Sequence, residues 1–162
     1  MYLAIIATMD NKERNQTILE AACGLLEQMN VEVKDAFAED IEDEQVLVSL
    51  VVDNPANLIG FRGRNLAAIQ IILGLVVKNK LGDWVRVLLD INNYRNEQKA
   101  RLESMAKNLA QKVLDTGVPV AMASMSSYER RICHMTLQEI EGISSESEGE
   151  GDERHIVIKL SA

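Results

Sequence analysis

Two short clusters in this sequence carry residue types that can do chemistry. The first is Gly60-Phe61-Arg62-Gly63, followed directly by Arg64. Two glycines three apart let a backbone turn sharply and approach another molecule closely. A helix that starts just after them presents amide N–H groups and the positive end of its dipole. Arg62 and Arg64 would flank that end and add charge-assisted hydrogen bonds to phosphate oxygens. The chemistry implied is a clamp on a sugar-phosphate backbone, with bases lying in a neighbouring apolar groove that begins at Ile59. The second cluster is Arg130-Arg131-Ile132-Cys133-His134. Arg130 and His134 are four apart and share one face of a helix. A guanidinium and an imidazole there can hold a phosphate, and Arg131, three from His134, is expected to widen the same polar edge.

Taken alone, either cluster has a plain structural reading: a helix–helix turn for Gly-x-x-Gly, and a solvated helix face for Arg-x-x-x-His. Other arrangements are weaker. Cys133 and His134 are adjacent on a helix and point about 100° apart, so they form no nucleophile–base pair. Cys23, Cys133, His134 and His155 lack metal-ligand spacing. The acidic stretch Glu146–Glu153 lacks the calcium-loop pattern and reads as solvated. No catalytic residue, cofactor or metal site is expected. Tyr94 and Tyr128 can each stack on a base or pack at an internal interface, and the residues leave both open. Trp84, at the head of an apolar strand, reads as core.

The elements that must position these clusters follow from periodicity. A helix is expected from Asn11 to Met29, with Ile18, Ala21, Ala22 and Leu25 at helical spacing. Strands follow at about 31–37 and 45–53, joined by the acidic turn 39–44. The second is so continuously apolar that burial on both faces is expected. A short helix at 56–59 leads into the glycine loop. A long helix then runs from Arg64 to about Asn79 with Leu66, Ile69, Leu73, Val76 and Val77 on one side. A strand at 84–91 closes this unit. The second unit opens with a helix over 93–115, whose inward residues read as Leu102, Met105, Leu109 and Val113, ended by Gly117 and Pro119. Residues 118–125 are expected to be extended. Ser126 and Glu129 form a capping-box pair that starts a helix through about Ile140. Ser144–Glu153 is expected as an exposed loop or hairpin end, and His155–Leu160 as a half-buried strand.

Composition sets limits on function. With 47% hydrophobic and 26% charged residues, the 162-residue chain reads as a folded protein of one ordinary domain or two small ones. No apolar run is read as a bilayer span. Met1–Ala7 is apolar but short and is interrupted by Asp10, so it does not read as a signal peptide. The cytoplasm is expected, and two cysteines give no disulfide framework. Net charge is −8, which by itself disfavours nucleic acid. Its distribution does not: residues 1–54 hold three Lys/Arg against twelve Asp/Glu, residues 55–99 seven against three, and residues 100–162 seven against ten. The basic balance coincides with the glycine loop.

Order and spacing over four segments make the sequence resemble a known family. Asn92-Asn93-Tyr94-Arg95, Met125 to Arg131, His134-Met135, and Ser145-Glu146-Ser147-Glu148-Gly149-Glu150 fall in sequence after the glycine loop. Together they resemble the Jag family, also called the SpoIIIJ-associated or KhpB proteins. The resemblance implies an α+β fold. A type II, prokaryotic KH-like αββααβ domain over 1–91 would precede a small α/β Arg-x-x-x-His domain over 92–162 that binds single-stranded nucleic acid. It implies a non-catalytic cytoplasmic protein binding single-stranded RNA, with single-stranded DNA left open. Partners implied are a small KH-domain protein or a second copy, without membrane insertion. Some members act as RNA chaperones affecting cell envelope growth and division. Many carry an additional N-terminal domain and basic linker, whereas this sequence is read as starting at its KH helix. Carried over residue by residue, the clamp falls on Gly60, Phe61, Arg62 and Gly63, with Arg64 beside it. The second motif falls on Arg130 and His134, with Arg131 adjacent, and a basic helix start falls on Tyr94, Arg95 and Lys99. An adaptor that uses the KH scaffold as a partner or dimer surface is the alternative.

Overall fold

The computed structural model describes residues 10–42 and 44–161. The reading of Met1–Ala7 therefore lies outside the described residues, as does Asp43 of the acidic turn. The chain is α+β and divides into two compact units, the division falling between Arg95 and Asn96.

The first unit runs α1 (Asn11–Gln28), β1 (Val33–Ile41), β2 (Gln45–Val52), α2 (Ala56–Ile59), a single 3-10 turn (Phe61–Gly63), α3 (Arg64–Leu81) and β3 (Arg86–Ile91). The sheet order is β1-β2-β3, with β1 antiparallel and β3 parallel to β2. The parallel pair requires a crossover, and α2 with α3 supplies it. Ile18, Ala21, Ala22 and Leu26 of α1 and Leu66, Ile69, Leu73, Val77 and Leu81 of α3 are buried. They pack with Val46, Val48, Leu50 and Val52 of β2 and Leu89 and Ile91 of β3 in one core.

This corrects the expectation for β2. Its even-numbered residues are buried, while Leu47 and Ser49 are only partly covered and Val51 is 42% exposed. Only one face of the sheet carries core residues, so the apolar residues on the other face stay partly wet. Trp84 is also corrected: it precedes β3, is 55% exposed, and lies beside Gly74 with Lys78 Nζ 5.8 Å above its ring. By length and composition the helical stretch Ala56–Leu81 is apolar enough to cross a membrane, with a mean hydropathy of 1.3 over its best window. The stretch is broken at the glycine loop, and its large apolar residues at the buried positions form the core.

The second unit comprises most of α4 (Tyr94–Thr116), then β4 (Val120–Ala121), α5 (Ser127–Gln138), β5 (Ile143–Glu148) and β6 (His155–Leu160). The strands form an antiparallel sheet of order β4-β6-β5. Two expectations change here. The buried stripe of α4 is Leu102, Ala106, Ala110 and Val113, with Met105 41% exposed. Small alanines let the helix approach its neighbours closely, and the larger methionine turns outward. Residues 144–148 are a strand of an antiparallel hairpin with β6, so the hairpin expectation holds but its exposed end is confined to 149–154. The hydroxyls and carboxylates of this strand follow a core anchor at Ile143, and Lys159 on β6 pairs with Glu146 at 2.6 Å. A half-polar strand is stable when its partner strand supplies the apolar residues, here the fully buried Ile156 and Ile158.

Candidate nucleic-acid interface

The glycine loop is built from backbone angles that side chains resist. Gly60 has φ +70°, Arg62 φ +53° and Gly63 φ +77°. Gly60 ends α2, and Gly63 stands at the N-cap of α3 with no side chain capping the first turn. A Cβ on Gly60 would come within 2.5 Å of the Asn65 side chain, and one on Gly63 within 3.1 Å of the Tyr94 ring. Asn65 Nδ2 donates to the Asn57 carbonyl at 2.8 Å, closing α2 onto α3 across the loop. The result is a rigid corner. Phe61 projects from it, 70% exposed, with the Arg62 guanidinium 5.1 Å over its ring. An exposed aromatic ring, two arginines and an uncapped helix start fit a polyanion with stackable bases.

Tyr94 and Arg95 are brought to the same unit but turned to other tasks. Tyr94 is half-buried, packs on the core, and forms the wall behind Gly63. Arg95 Nε donates to the Leu89 carbonyl at 2.9 Å and its Nη2 donates to Gln70 Oε1 at 2.8 Å. The same Gln70 oxygen accepts from the Leu89 amide at 3.1 Å. Leu89 lies on the edge strand β3, and these two side chains satisfy its N–H and C=O as a further strand would. Arg95 is thus engaged inside the unit.

In the second unit the capping box forms as expected. Glu129 accepts from the Ser126 amide at 2.8 Å, and Ser126 Oγ accepts from the Glu129 amide at 3.3 Å. The Glu129 carboxylate is buried and also accepts from Gln98 Nε2 at 2.9 Å. Arg130 folds back onto the start of its own helix, donating to the Met125 carbonyl at 2.7 Å and to Ser127 Oγ at 3.0 Å. His134 sits one turn on. The Gln138 side-chain amide lies 3.1 Å from its Nε2, and its Nδ1 lies 2.6 Å from the Ser145 hydroxyl of β5. Arg154 Nε donates to Ser147 Oγ at 2.8 Å, and the Arg154 carbonyl accepts from the Met125 amide at 3.1 Å.

Arg130 and His134 therefore belong to a hydrogen-bonded edge that includes Ser127, Ser145, Ser147 and Arg154. Sequence reasoning misses the last four as site residues. The available signal is the serine at alternate positions, 145 and 147, which reads as a strand face once 144–149 is not taken as a loop. Arg131, expected to widen this edge, has no hydrogen bond to its members among the described residues. It is exposed, three residues before His134, and lines a groove with Lys99. Lys99 makes a loose pair with Glu103 at 3.8 Å.

Cys133 is fully buried, and burial, reinforced by the nearby Glu129 carboxylate, pushes its thiol up from 9.0 to about 11. Its Sγ contacts Met125 Sδ at 3.8 Å. It is a core residue. Among the described residues, no three His, Cys, Asp or Glu side chains gather where they could hold a metal ion.

The first unit's αββααβ order is consistent with a KH-like fold. Residues 100–160 match the R-3-H domain family, named for an arginine and a histidine with three residues between them, so this is a protein with a C-terminal Arg-x-x-x-His domain. The RNA-binding protein KhpB of Clostridium symbiosum is 38% identical over 152 residues, covering 91% of this chain and 68% of that protein. KhpB of Bacillus subtilis strain 168 is 34% identical over 145 residues, covering 88% of this chain and 65% of that protein. KhpB of Streptococcus pneumoniae serotype 2 is 26% identical over 129 residues, covering 80% and 39%. The chain belongs to the KhpB (Jag) family. It spans about two thirds of the length of the Clostridium and Bacillus relatives and well under half of the Streptococcus one.

Proposed function

We propose that this chain binds single-stranded RNA in the cytoplasm without catalysing a reaction on it. The first unit would act as a type II KH-like domain through residue 91, and the remainder, from residue 92, as the second binding domain. The observation that carries the reading is the glycine loop. Three positive-φ residues hold Phe61, Arg62 and Arg64 at the uncapped start of α3. Gly60 and Gly63 give the corner its shape, with Tyr94 and Arg95 bracing the unit behind it. Lys99 and Arg131 offer cations on the second unit, while Arg130 and His134 hold the helix that carries Arg131. The Clostridium and Bacillus relatives are RNA-binding proteins, which supports the same reading. Binding of a labelled single-stranded RNA, measured by fluorescence anisotropy at two salt concentrations beside duplex RNA and single-stranded DNA, tests it. Salt-sensitive binding of the single strands is expected. No binding by the folded protein would remove the reading.

A second reading is an adaptor in which the KH-like unit meets a small KH-domain protein or a second copy. Exposed Ile71, Ile72 and Leu75 on α3 favour it, since such a cluster is a natural partner surface. Capture of the same proteins before and after nuclease treatment would support it.

A further inference from the structure

We infer that the groove between α4 and α5 of the second unit is an RNA-contacting subsite, in which Tyr128 stacks on a base and Arg131 and Lys107 take the flanking phosphates. This deepens the proposed RNA binding and rests on it. The groove encloses about 460 Å³, within the range of roughly 300–1,000 Å³ typical of sites for small organic groups.

Its lining has a composition suited to a nucleotide. Tyr128 is 54% exposed and Met135, two turns along α5, is 56% exposed. Between them Arg131 faces the same groove, because residues three and four apart align on a helix. Lys99, Glu103 and Lys107 line the opposite side from α4 at four-residue spacing, and Glu139 at the end of α5 also lines the groove, so three cations face two carboxylates. Lys99 is loosely paired with Glu103. Arg131 and Lys107 make no ion pair or hydrogen bond among the described residues, in contrast to Arg130, which is bonded twice within its own helix start. An exposed aromatic ring beside two unengaged cations is the combination that stacks one base and neutralises its phosphates.

The division of labour follows from helix geometry. His134 meets Ser145 of β5, and Arg130 is hydrogen-bonded to Met125 and Ser127 at the start of its own helix. Arg131, Tyr128 and Met135 lie on the side that faces the groove. The motif residues hold α5 in place, and its other side meets the ligand.

The test uses the full chain. A 4-thiouridine-substituted single-stranded RNA is cross-linked to the wild type, and the attachment is mapped by mass spectrometry. In parallel, anisotropy compares Tyr128→Ala, Tyr128→Phe and Arg131→Gln/Lys107→Gln with the wild type. Attachment within the α5 segment carrying Tyr128 is expected. Tyr128→Ala should bind about tenfold more weakly, and Tyr128→Phe should bind like the wild type, since the ring rather than the hydroxyl does the stacking. The double variant should reduce the salt slope by about 0.7 for each lost phosphate contact. A wild type that binds RNA but cross-links elsewhere, with all three variants unaffected, overturns the groove and leaves the proposed function standing. A folded wild type that binds no RNA overturns both.

Discussion

The ring of Tyr94 stands where a side chain on Gly63 would have to go. A Cβ at Gly63 would lie 3.1 Å from Tyr94 Cε1 and 3.4 Å from its hydroxyl. Gly63 also has φ +77°, a region that costs residues with a Cβ about 1–2 kcal/mol. Contact and conformation act together at the N-cap of α3, so the loop's shape depends on both. Gly63→Ala should lower the stability of the first unit by about 1–2 kcal/mol, read as a lower thermal midpoint. Combining it with Tyr94→Ala relieves the contact but not the strained φ. A double variant as stable as the wild type would contradict that assignment.

The electrostatic role of the loop has its own signature. Arg62→Asp/Arg64→Asp should weaken single-stranded RNA binding at least about tenfold and flatten its dependence on salt, because fewer counterions are released. The circular dichroism spectrum should stay that of the wild type, since neither side chain is part of the buried core. Unchanged affinity in a folded double variant would place the interface elsewhere.

Arg130 is expected to act through stability. Its two donated hydrogen bonds tie the start of α5 to the Met125 carbonyl and Ser127. Hydrogen bonds to a charged group are worth about 1.5–3 kcal/mol when buried, and Arg130 is only part-buried, so Arg130→Ala should cost about 1–2 kcal/mol. Urea unfolding followed by circular dichroism measures this. Loss of RNA affinity at full stability would instead make Arg130 a direct contact.

Cys133 carries a pH dependence with a definite sign. Its thiol is raised in the folded chain from 9.0 to about 11, chiefly by burial. The folded state therefore keeps a proton that the unfolded state releases. The associated stability is fully present below pH 9 and is lost as the pH rises from about 9 toward 11. Cys133→Ala should flatten that part of the stability–pH curve. For the same reason Cys133 should resist thiol reagents near pH 8 until the protein is unfolded, whereas the partly exposed Cys23 reacts first.

Much of this protein is determined by local sequence. Helical periodicity places α1, α3, α4 and α5, and the Ser126/Glu129 pair places the start of α5, because both signals are complete within a few residues. The glycine loop is legible for the same reason, since positive φ at Gly60 and Gly63 is a property of glycine itself. What only the tertiary structure decided are matters of facing. Whether both sides of β2 are covered depends on where α1 and α3 pack, and they cover one. Which stripe of α4 turns inward depends on how closely its neighbours approach, and the alanines win over Met105. Ser144–Glu148 is a strand because β6 supplies the apolar residues it lacks. The same limit applies to the site. Spacing puts Arg130, Arg131 and His134 on one helix, but only β5 brings a serine to His134 and only α4 makes the groove that Arg131 lines. A one-residue step turns a side chain by about 100°, and only the neighbouring elements decide whether that direction leads to a serine or to an open groove.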